Sequence, residues 1–227
     1  MSILFLIPAR VGSKGLPGKN TKILGGKPLV AYSIDFALAN IKEGDELCVS
    51  TNDPMVVKVA NSRGVQIPFI RPEELSSDTA SSYDVIMHAI NFYESRGKIF
   101  NWVLLLQPTS PFRTQKDFAE IMENIENKID MIVSVKISKE NPYFSLYELN
   151  NSGFLVKSKN SDYQRRQDCP VVYALNGSMY LMNVSALKLK PINKFDKIKK
   201  IIMPDERSID IDTLDDWILA EYYLNKQ

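Results

Sequence analysis

Five cationic side chains stand close together near the start of the chain, in a segment that carries no carboxylate. They are Arg10, Lys14, Lys19, Lys22 and Lys27, and glycines at positions 12, 15 and 18 lie among them. Glycine lets the backbone approach a ligand closely, and exposed N–H groups together with cations favour an anion. The pattern predicts a phosphate-binding loop, and a solvated basic loop is the competing interpretation.

The spacing of these glycines differs from that of two common phosphate loops. The Walker motif requires serine or threonine after its Gly-Lys pair, but Asn20 follows Lys19, and Ser13 stands in the place of the motif's first glycine. The dinucleotide fingerprint is G-x-G-x-x-G, whereas the glycines here fall as G-x-x-G-x-x-G. Neither motif fits this loop.

Two aspartates near the other end of the chain, Asp210 and Asp212, alternate with isoleucines in a Ser-Ile-Asp-Ile-Asp segment. If the isoleucines face the core, strand alternation places both carboxylates on the same opposite face. Adjacent carboxylates repel unless a cation lies between them, and a hard cation such as Mg²⁺ uses this arrangement with substrate phosphates. A polar strand face is the competing interpretation. Asp215 and Asp216 are predicted to lie at the N-terminus of the helix that follows.

Hydrophobic periodicity predicts that strands and helices alternate along most of the chain. The expected strands are residues 3–7, 46–53, 65–70, 101–107 and 130–136. The expected helices are residues 28–39, 54–62, 83–95, 115–127 and 214–225, the third capped by Ser81 or Ser82. This order predicts an α/β fold with a Rossmann-like, mainly parallel sheet flanked by helices, which binds ligands beyond the carboxyl ends of its strands.

One domain is predicted to span residues 1–227, with a change of pattern over about residues 139–195. Two extended runs around an Asn-Asn-Ser-Gly turn predict an inserted β-hairpin within residues 141–156. Exposed aromatic residues would make this hairpin a dimerisation subdomain, and the candidates are Tyr143, Phe144 and Tyr147. The basic stretch at residues 188–200 is predicted to be solvated surface.

The composition limits the partners of the protein. Hydrophobic residues make up 44% of the chain and charged residues 24%, and a net charge of +1 provides no field that would attract nucleic acid or an anionic membrane. Cys48 and Cys169 show no metal-binding spacing and are expected to be reduced. The apolar run at residues 3–7 is too short for a signal peptide, so we expect a cytoplasmic protein without a membrane span.

Several segments together resemble one family. The loop reads R-x-x-S-K-x-L-x-x-K-N from Arg10, and R-P-E-E-L begins at Arg71. L-L-Q-P-T-S-P-x-R ends at Arg113, an Asn-Gly pair begins at Asn176, and S-x-D-I-D ends at Asp212. These segments are similar to those of the CMP-sialic acid synthetases, the acylneuraminate cytidylyltransferases, and the resemblance covers nearly the whole chain.

The resemblance implies an enzyme that transfers CMP from CTP to the anomeric 2-hydroxyl of a nine-carbon, sialic-acid-type keto sugar acid and releases pyrophosphate. It implies Mg²⁺ as the cofactor and a homodimer in which the hairpin reaches over the partner's active site. The implied sugar acid is N-acetylneuraminate, with legionaminic or another nonulosonic acid as the alternative. An octulosonate cytidylyltransferase and a non-catalytic nucleotide-binding module are the competing functions.

The resemblance also implies roles for individual residues. Catalysis would fall to Arg10, Lys19 and Asp212, and metal binding to Asp210 and Asp212. The implied nucleotide-binding residues are Arg10, Gly12, Ser13, Lys14, Lys19, Asn20, Arg71, Ala80 and Ser82. The implied sugar-binding residues are Gln107, Arg165, Arg166, Asn176 and Tyr180. His88, the single histidine, lies in a predicted helix, so a Ser-His-Asp mechanism is not expected.

Overall fold

A six-stranded sheet forms the centre of the computed structural model, within the residues that the structure describes: 1–12, 15–77, 79–126 and 128–226. The strands are β1 (Ile3–Pro8), β2 (Ile23–Leu24), β3 (Lys27–Pro28), β4 (Glu46–Ser50), β5 (Trp102–Leu106), β6 (Met131–Ile137), β7 (Tyr147–Leu149), β8 (Leu155–Lys157), β9 (Tyr173–Asn183) and β10 (Ile198–Ile202). The helices are α1 (Leu29–Asn40), α2 (Pro54–Asn61), α3 (Ser82–Glu94), α4 (Gln115–Glu123), α5 (Val184–Leu189) and α6 (Leu214–Leu224).

The strand order across the central sheet is β10-β6-β9-β5-β1-β4. Strand β1 is parallel to β4 and β5, and β6 is parallel to β10. Strand β9 is antiparallel to both of its neighbours, β5 and β6. The fold is therefore the mainly parallel, Rossmann-like α/β sheet that the sequence predicted.

Strand β9 lies inside the sheet, yet the sequence analysis does not predict it. Its pairing with β6 shifts register between Val133 and Val135, and Gly177 within it has a positive φ of 73°. A bulge of this kind interrupts the alternation of side chains by which a strand is recognised. The Asn-Gly pair, which in isolation is typical of a turn, marks the bulge of a central strand here.

Three other element predictions differ from the structure. Residues 65–70 form one parallel bridge, from Ile70 to Thr51, instead of a strand; Pro68 has no N–H group to donate to a sheet. The basic stretch at 188–200 contains the end of α5, the buried Phe195 and the start of β10, so it is not simply solvated surface. Helix α4 ends at Glu123, earlier than predicted.

Strand β1 shows why the sheet needs an unbroken apolar run. Phe5 and Ile7 pack on one face of the sheet in the cluster that includes residues of α1, α2 and α4. Leu4 and Leu6 pack on the other face in the cluster that includes residues of α3 and α5. Because helices cover both faces, every one of these side chains is buried and alternation with polar residues is absent from this strand.

A third apolar cluster packs α6 against the start of α1 and against Ile209 and Ile211. These isoleucines are buried, while Asp210 and Asp212 are exposed. The predicted alternation is thus present, although the segment is not a strand. The helix N-terminal role predicted for Asp216 is confirmed, because its carboxylate completes the capping box of α6.

Strands β7 and β8 form the predicted hairpin as a separate two-stranded sheet. Asn150 closes its turn by accepting hydrogen bonds from two backbone N–H groups. The exposure predicted for the aromatic residues is confirmed for Tyr147 and wrong for Tyr143 and Phe144, which are half-buried. Other apolar side chains of the hairpin are strongly exposed, namely Leu149 (72%), Phe154 (70%) and Leu155 (67%).

The two cysteines are free thiols in the structure. Cys48 is buried in β4, and burial raises the pKa of its thiol to about 12, so it stays protonated at neutral pH. Cys169 is half-buried. Among the described residues, no helix is long and apolar enough to cross a membrane.

The central position of β9 predicts a large stability cost for a change at Leu181, which is 0% exposed. We expect Leu181→Ala to lower the free energy of unfolding by about 2–5 kcal/mol, because it leaves a cavity inside the sheet. The matched control is Leu189→Ala at the end of α5, where the side chain is 85% exposed. This control should change stability by at most about 0.5 kcal/mol in urea unfolding followed by circular dichroism. Equal losses in the two variants would contradict the placement of β9.

Candidate active site

A cleft of about 420 Å³ opens beyond the carboxyl ends of β1 and β5. This is the edge at which parallel α/β sheets bind their ligands. Four segments line the cleft. The first loop contributes Arg10, Gly15, Lys19 and Asn20, and the second loop contributes Arg71, Ala80 and Ser82. The turn after β5 contributes Gln107, Pro108 and Thr109, and the acidic segment contributes Asp210 and Asp212. Nine of the residues predicted for the site therefore line one cleft within the described ranges: Arg10, Lys19, Asn20, Arg71, Ala80, Ser82, Gln107, Asp210 and Asp212.

The two ends of the chain meet in this cleft through a direct ion pair. Lys19 Nζ lies 2.6 Å from Asp212 Oδ1 and donates a second hydrogen bond to the carbonyl oxygen of Ile211 at 3.0 Å. The backbones also approach closely, since a Cβ atom added to Gly15 would lie 2.2 Å from the carbonyl oxygen of Asp212. The cationic loop and the acidic segment therefore belong to the same site.

Arg10 reaches from the first loop towards the second. Its Nη1 donates hydrogen bonds to the carbonyl oxygens of Gly12, at 3.3 Å, and Ser76, at 3.5 Å. Asn20 is 7% exposed, and its side-chain amide donates to the carbonyl oxygen of Arg10 at 3.1 Å. Gly12 has a φ of 79°, which turns the backbone at the start of the loop. The two other predicted loop residues, which lie outside the described ranges, are Ser13 and Lys14.

Arg71 lines the cleft although it is only 4% exposed. Its Nε donates to Ser50 Oγ at 3.0 Å and its Nη2 donates to the carbonyl oxygen of Ser50. Burial lowers the pKa of the Arg71 guanidinium to about 10, and the charge of Arg10 acts in the same direction. The guanidinium is still a cation at neutral pH. Nearby, Ser81 caps α3, so the hydroxyl of Ser82 is left in the cleft wall.

The turn after β5 is joined to the acidic segment at two points. The N–H group of Ile211 donates to the carbonyl oxygen of Thr109 at 2.8 Å. The side chain of Thr109 also interacts with the carboxylate of Asp210 and acts to lower its pKa. Within the turn, the N–H group of Ser110 donates to the carbonyl oxygen of Gln107 at 3.3 Å. The position of Asp210 therefore depends on the conformation of this turn.

Three polar side chains from two segments, the turn after β5 and the acidic segment, converge on Gly177 at the bulge of β9. A Cβ atom at this position would lie 2.8 Å from Ser110 Oγ, 3.1 Å from Gln107 Oε1 and 3.2 Å from Asp210 Oδ2. The φ of 73° also favours glycine over any residue with a side chain. The bulge therefore brings backbone, amide and carboxylate groups together at the side of the cleft.

The carboxylate of Asp210 lies in an unfavourable environment. Although the residue as a whole is exposed, partial burial of its carboxylate raises its pKa, and the charge of Asp212 raises it further; the Thr109 side chain and the charge of Lys19 oppose the shift. The pKa of Tyr180 is also raised, first by burial and then by the charge of Asp210. The Tyr180 phenol on β9 and the Asp210 carboxylate therefore interact electrostatically.

Asn176, predicted to bind the sugar, is 2% exposed, and its side chain makes internal hydrogen bonds. Its Oδ1 accepts from Ser134 Oγ at 2.7 Å, and its Nδ2 donates to Ser208 Oγ at 3.0 Å. These bonds tie the acidic segment to β6 and β9. The Asn176 side chain therefore does not line the described cleft, and its hydrogen bonds hold the acidic segment in place.

Arg165 and Arg166, also predicted to bind the sugar, are exposed and do not line the described part of the cleft. Arg165 forms a two-point ion pair with Asp168, at 2.8 and 2.9 Å. Arg166 donates to the carbonyl oxygen of Lys139. Both arginines belong to the inserted segment, so the fold of one chain does not bring them to its own cleft.

His88 lies on α3 and packs against the ring of Phe69, with ring centroids 4.6 Å apart. Burial lowers the pKa of its imidazole, and it does not line the described cleft. The predicted helical position of His88 is confirmed. The described ranges contain no group of three or more His, Cys, Asp or Glu side chains that could hold a metal ion.

Sequence reasoning did not predict Gly15, Thr109 or Gly177 as site residues. Thr109 stands two residues after Gln107 in the same turn, so its place in the Q-P-T-S-P motif was an available signal. Gly15 lies in the predicted phosphate loop, but its contact with Asp212 depends on how distant segments pack. The role of Gly177 depends on a bulge that the sequence pattern does not show.

A mainly parallel α/β sheet whose strand ends carry a cationic glycine loop in contact with two neighbouring aspartates is typical of nucleotide-binding enzymes that act on phosphoryl groups. The sequence model of the family described as "Cytidylyltransferase" matches residues 4–214. The chain therefore belongs to the cytidylyltransferase family. It is a nucleotidyltransferase enzyme, so the non-catalytic alternative is set aside.

Relatives match nearly the whole chain. The chain is 34% identical over 223 residues to the CMP-N,N'-diacetyllegionaminic acid synthase of Legionella pneumophila, covering 97% of this chain and 95% of that protein. It is 30% identical over 222 residues to the pseudaminic acid cytidylyltransferase of Campylobacter jejuni, covering 97% and 95%. It is 32% identical over 222 residues to the N-acylneuraminate cytidylyltransferase of Streptococcus agalactiae, covering 96% of this chain and 52% of that longer protein.

Solved structures share the fold. The CMP:2-keto-3-deoxy-manno-octonic acid synthetase complexed with CTP superposes with a TM-score of 0.71 at 17% identity, covering 100% of this chain and 99% of that one. The 4-diphosphocytidyl-2C-methyl-D-erythritol synthase of Anaerococcus prevotii superposes with a TM-score of 0.67 at 16% identity, covering 98% of both chains. At these identities the likeness supports the architecture of the sheet.

The crowding around Gly177 predicts that Gly177→Ala lowers the turnover of CTP. We expect a loss on the order of tenfold or more, because the new Cβ displaces Gln107 and Asp210 from their positions. The matched control is Gly64→Ala, since Gly64 has the same φ of 73° but no atom within 4 Å of a Cβ. Pyrophosphate release from CTP measures both variants. An equal loss in the two would show that backbone strain alone is responsible.

Proposed function

We propose that the protein transfers CMP from CTP to the anomeric 2-hydroxyl of a nine-carbon, sialic-acid-type keto sugar acid. The hydroxyl loses its proton to solvent and its oxygen bonds to the α-phosphorus. The bond from that phosphorus to the oxygen it shares with the β-phosphorus breaks, and pyrophosphate leaves. The proposal rests on the contact of Lys19 with Asp212 in one cleft, because a site that acts on a triphosphate needs both cations and metal-binding carboxylates close together.

The substrate class is supported by relatives named for legionaminic, pseudaminic and neuraminic acids. We propose N-acetylneuraminate, and legionaminic acid or another nonulosonic acid fits the same observations, since these relatives share between 30% and 34% identity with the chain. All of these acids carry the carboxylate and anomeric hydroxyl on which the proposed reaction depends.

Each lining segment is given a part in this reaction. Arg10, Lys19 and the N–H groups of the loop hold the triphosphate and stabilise the charge that develops on its oxygens. Asn20 and Gly12 shape that loop, which also contains Ser13 and Lys14. Arg71, Ala80 and Ser82 line the part of the cleft assigned to cytidine, and Gln107 lines the part assigned to the sugar acid. Tyr180 does not line the described cleft, and it is assigned to the sugar-acid side through its electrostatic interaction with Asp210.

Mg²⁺ is the proposed cofactor, and the donors in the cleft fit it. Asp210 and Asp212 both line the cleft, and burial together with the charge of Asp212 raises the pKa of Asp210. A cation near these carboxylates would offset that unfavourable charge. Mg²⁺ commonly binds through one or two carboxylates and completes its shell with phosphate oxygens and water. When bound, it supplies neutralisation of phosphate charge and acidifies a coordinated hydroxyl.

The proposed function is tested by measuring pyrophosphate release with CTP, Mg²⁺ and a panel of acids. The panel contains N-acetylneuraminate, legionaminic acid, pseudaminic acid and the eight-carbon 3-deoxy-manno-octulosonate. We expect turnover with one or more of the nine-carbon acids. Turnover with the eight-carbon acid alone, or with none of the four, would overturn the proposal.

Removing one carboxylate charge tests the assignment of Asp212. Asp212→Asn should reduce turnover with saturating Mg²⁺ on the order of 10²-fold, as expected for the loss of one electrostatic contact at the reacting phosphate. Asp215→Asn in the first turn of α6 is the matched control and should change turnover by less than about twofold, because Asp215 does not line the cleft. If Asp212→Asn were as active as the wild type, the assignment would be wrong.

We also propose that the protein is a homodimer formed through the inserted segment at about residues 139–195. The hairpin exposes Leu149, Phe154 and Leu155, and a contiguous apolar surface of this kind is typical of an interface. Arg165 and Arg166 lie on the same segment and away from their own cleft. In a dimer they would complete the cleft of the partner.

Sedimentation of a charged variant tests this interface. Phe154→Asp should shift the protein from dimer to monomer, because a buried carboxylate at the interface would lack a partner. Ile99→Asp just before β5, outside the inserted segment and 74% exposed in the wild type, is the control and should leave the dimer intact. A wild-type protein that sediments only as a monomer while fully active would contradict the proposal.

A further inference from the structure

Arg113 is a buried cation beside the active site that no step of the proposed reaction uses. It is 6% exposed and does not line the described cleft. No acidic side chain of the described residues pairs with it, and burial lowers the pKa of its guanidinium to about 9. A buried charge without an opposite charge is unfavourable unless neutral groups solvate it.

The guanidinium is solvated by four neutral acceptors from three parts of the fold. Its Nη2 donates to the carbonyl oxygens of Gln107, at 2.6 Å, and Ser110. Its Nη1 donates to Ser33 Oγ on α1 at 2.7 Å, and its Nε donates to Ser178 Oγ on β9 at 3.3 Å. The guanidinium carbon also lies 5.6 Å from the centre of the Phe36 ring.

The fork geometry of arginine explains why this residue type is present. A guanidinium presents donors in fixed directions and can bridge several acceptors at once, whereas an ammonium is a single point of charge. Here the fork joins both ends of the turn from Gln107 to Ser110 with the strand that carries the bulge. Helix α1 fixes the fork from the other side.

The same turn controls two groups in the cleft. The carbonyl oxygen of Thr109 accepts a hydrogen bond from the N–H group of Ile211, which is adjacent to Asp210, at 2.8 Å. Gln107 Oε1 lies near Gly177, one residue before Ser178. Loss of the fork would therefore change the positions of Gln107 and Asp210 together.

We propose that Arg113 is a positioning residue for the sugar-acid side of the site: its guanidinium fixes the turn, and the turn holds Gln107 and Asp210. Arg113 contacts neither substrate. The two arginines of the nucleotide side do not depend on this turn. Arg10 donates to the carbonyl oxygen of Gly12, and Arg71 donates to Ser50 Oγ. The kinetic test of this inference rests on the proposed function, because it measures sugar transfer. The structural claim, that Arg113 fixes the turn, does not rest on that function.

Arg113→Lys tests the proposal, because it keeps the positive charge and removes the fork. The matched control is Arg63→Lys, where the guanidinium pairs with Asp35 at 2.8 Å on the surface. Hydrogen exchange needs no substrate: the amides of Ser110 and Ile211 should exchange about tenfold faster in Arg113→Lys, while amides of β1 stay unchanged. Uniform acceleration of all core amides, or no change at Ser110 and Ile211, would overturn the proposal.

Kinetics give the second readout. In Arg113→Lys the KM for the sugar acid should rise and kcat should fall, together lowering kcat/KM for the sugar acid by about tenfold or more. The KM for CTP should rise less, because Asp210 is only one of the two proposed metal ligands. Arg63→Lys should match the wild type. Equal changes in both KM values would overturn the proposal, whereas an inactive wild type would count against the proposed function and leave the exchange result to decide the role of Arg113.

Ser178→Ala serves if Arg113→Lys does not fold. It removes one acceptor of the fork and leaves the cation in place. The effects should have the same direction as in Arg113→Lys but be smaller. The amides of Ser110 and Ile211 should exchange faster, and the KM for the sugar acid should rise. A Ser178→Ala protein that matches the wild type in both measurements would overturn the proposal.

Discussion

The close approach of the first loop to the acidic segment constrains how the rest of the chain is arranged. Lys19 and Asp212 come from opposite ends of the sequence, and their contact at 2.6 Å requires both segments to lie over the same edge of the sheet. Gly15 allows the two backbones to approach because it has no Cβ. The third apolar cluster holds α6 and the two isoleucines of the acidic segment against the start of α1.

Buried polar side chains connect this contact to the strands. Ser50 at the end of β4 solvates the charge of Arg71, and the turn after β5 solvates the charge of Arg113. Asn176 bridges β6 to the acidic segment. Such groups are costly to bury unless every donor finds an acceptor, so their partners restrict the backbone to one arrangement. Hydrogen bonds thereby hold the segment that carries Asp210, whose pKa the neighbouring charge of Asp212 helps to raise.

Elements with strong local patterns could be predicted from the sequence, and those shaped by distant contacts could not. Strand β1 is an uninterrupted apolar run because helices cover both of its faces, so its pattern is visible without a structure. Strand β9 contains a bulge at Gly177 and is antiparallel to its neighbours, and neither property has a periodic signature. Residues 65–70 show the opposite error, since their apolar composition is that of a strand but Pro68 lies in the middle.

By itself, the sequence determined the chemistry of this protein: cations and glycines at one end, alternating aspartates at the other, and a parallel sheet that collects loops at one edge. Residue types and local spacing are sufficient for these conclusions. The tertiary structure decided which motif residues face the cleft, placing Thr109 and Gly177 in the site, Asn176 behind it and Arg165 away from it. That choice depends on register and packing between segments far apart in the chain, because a bulge or a buried hydrogen bond redirects a side chain without changing the local pattern.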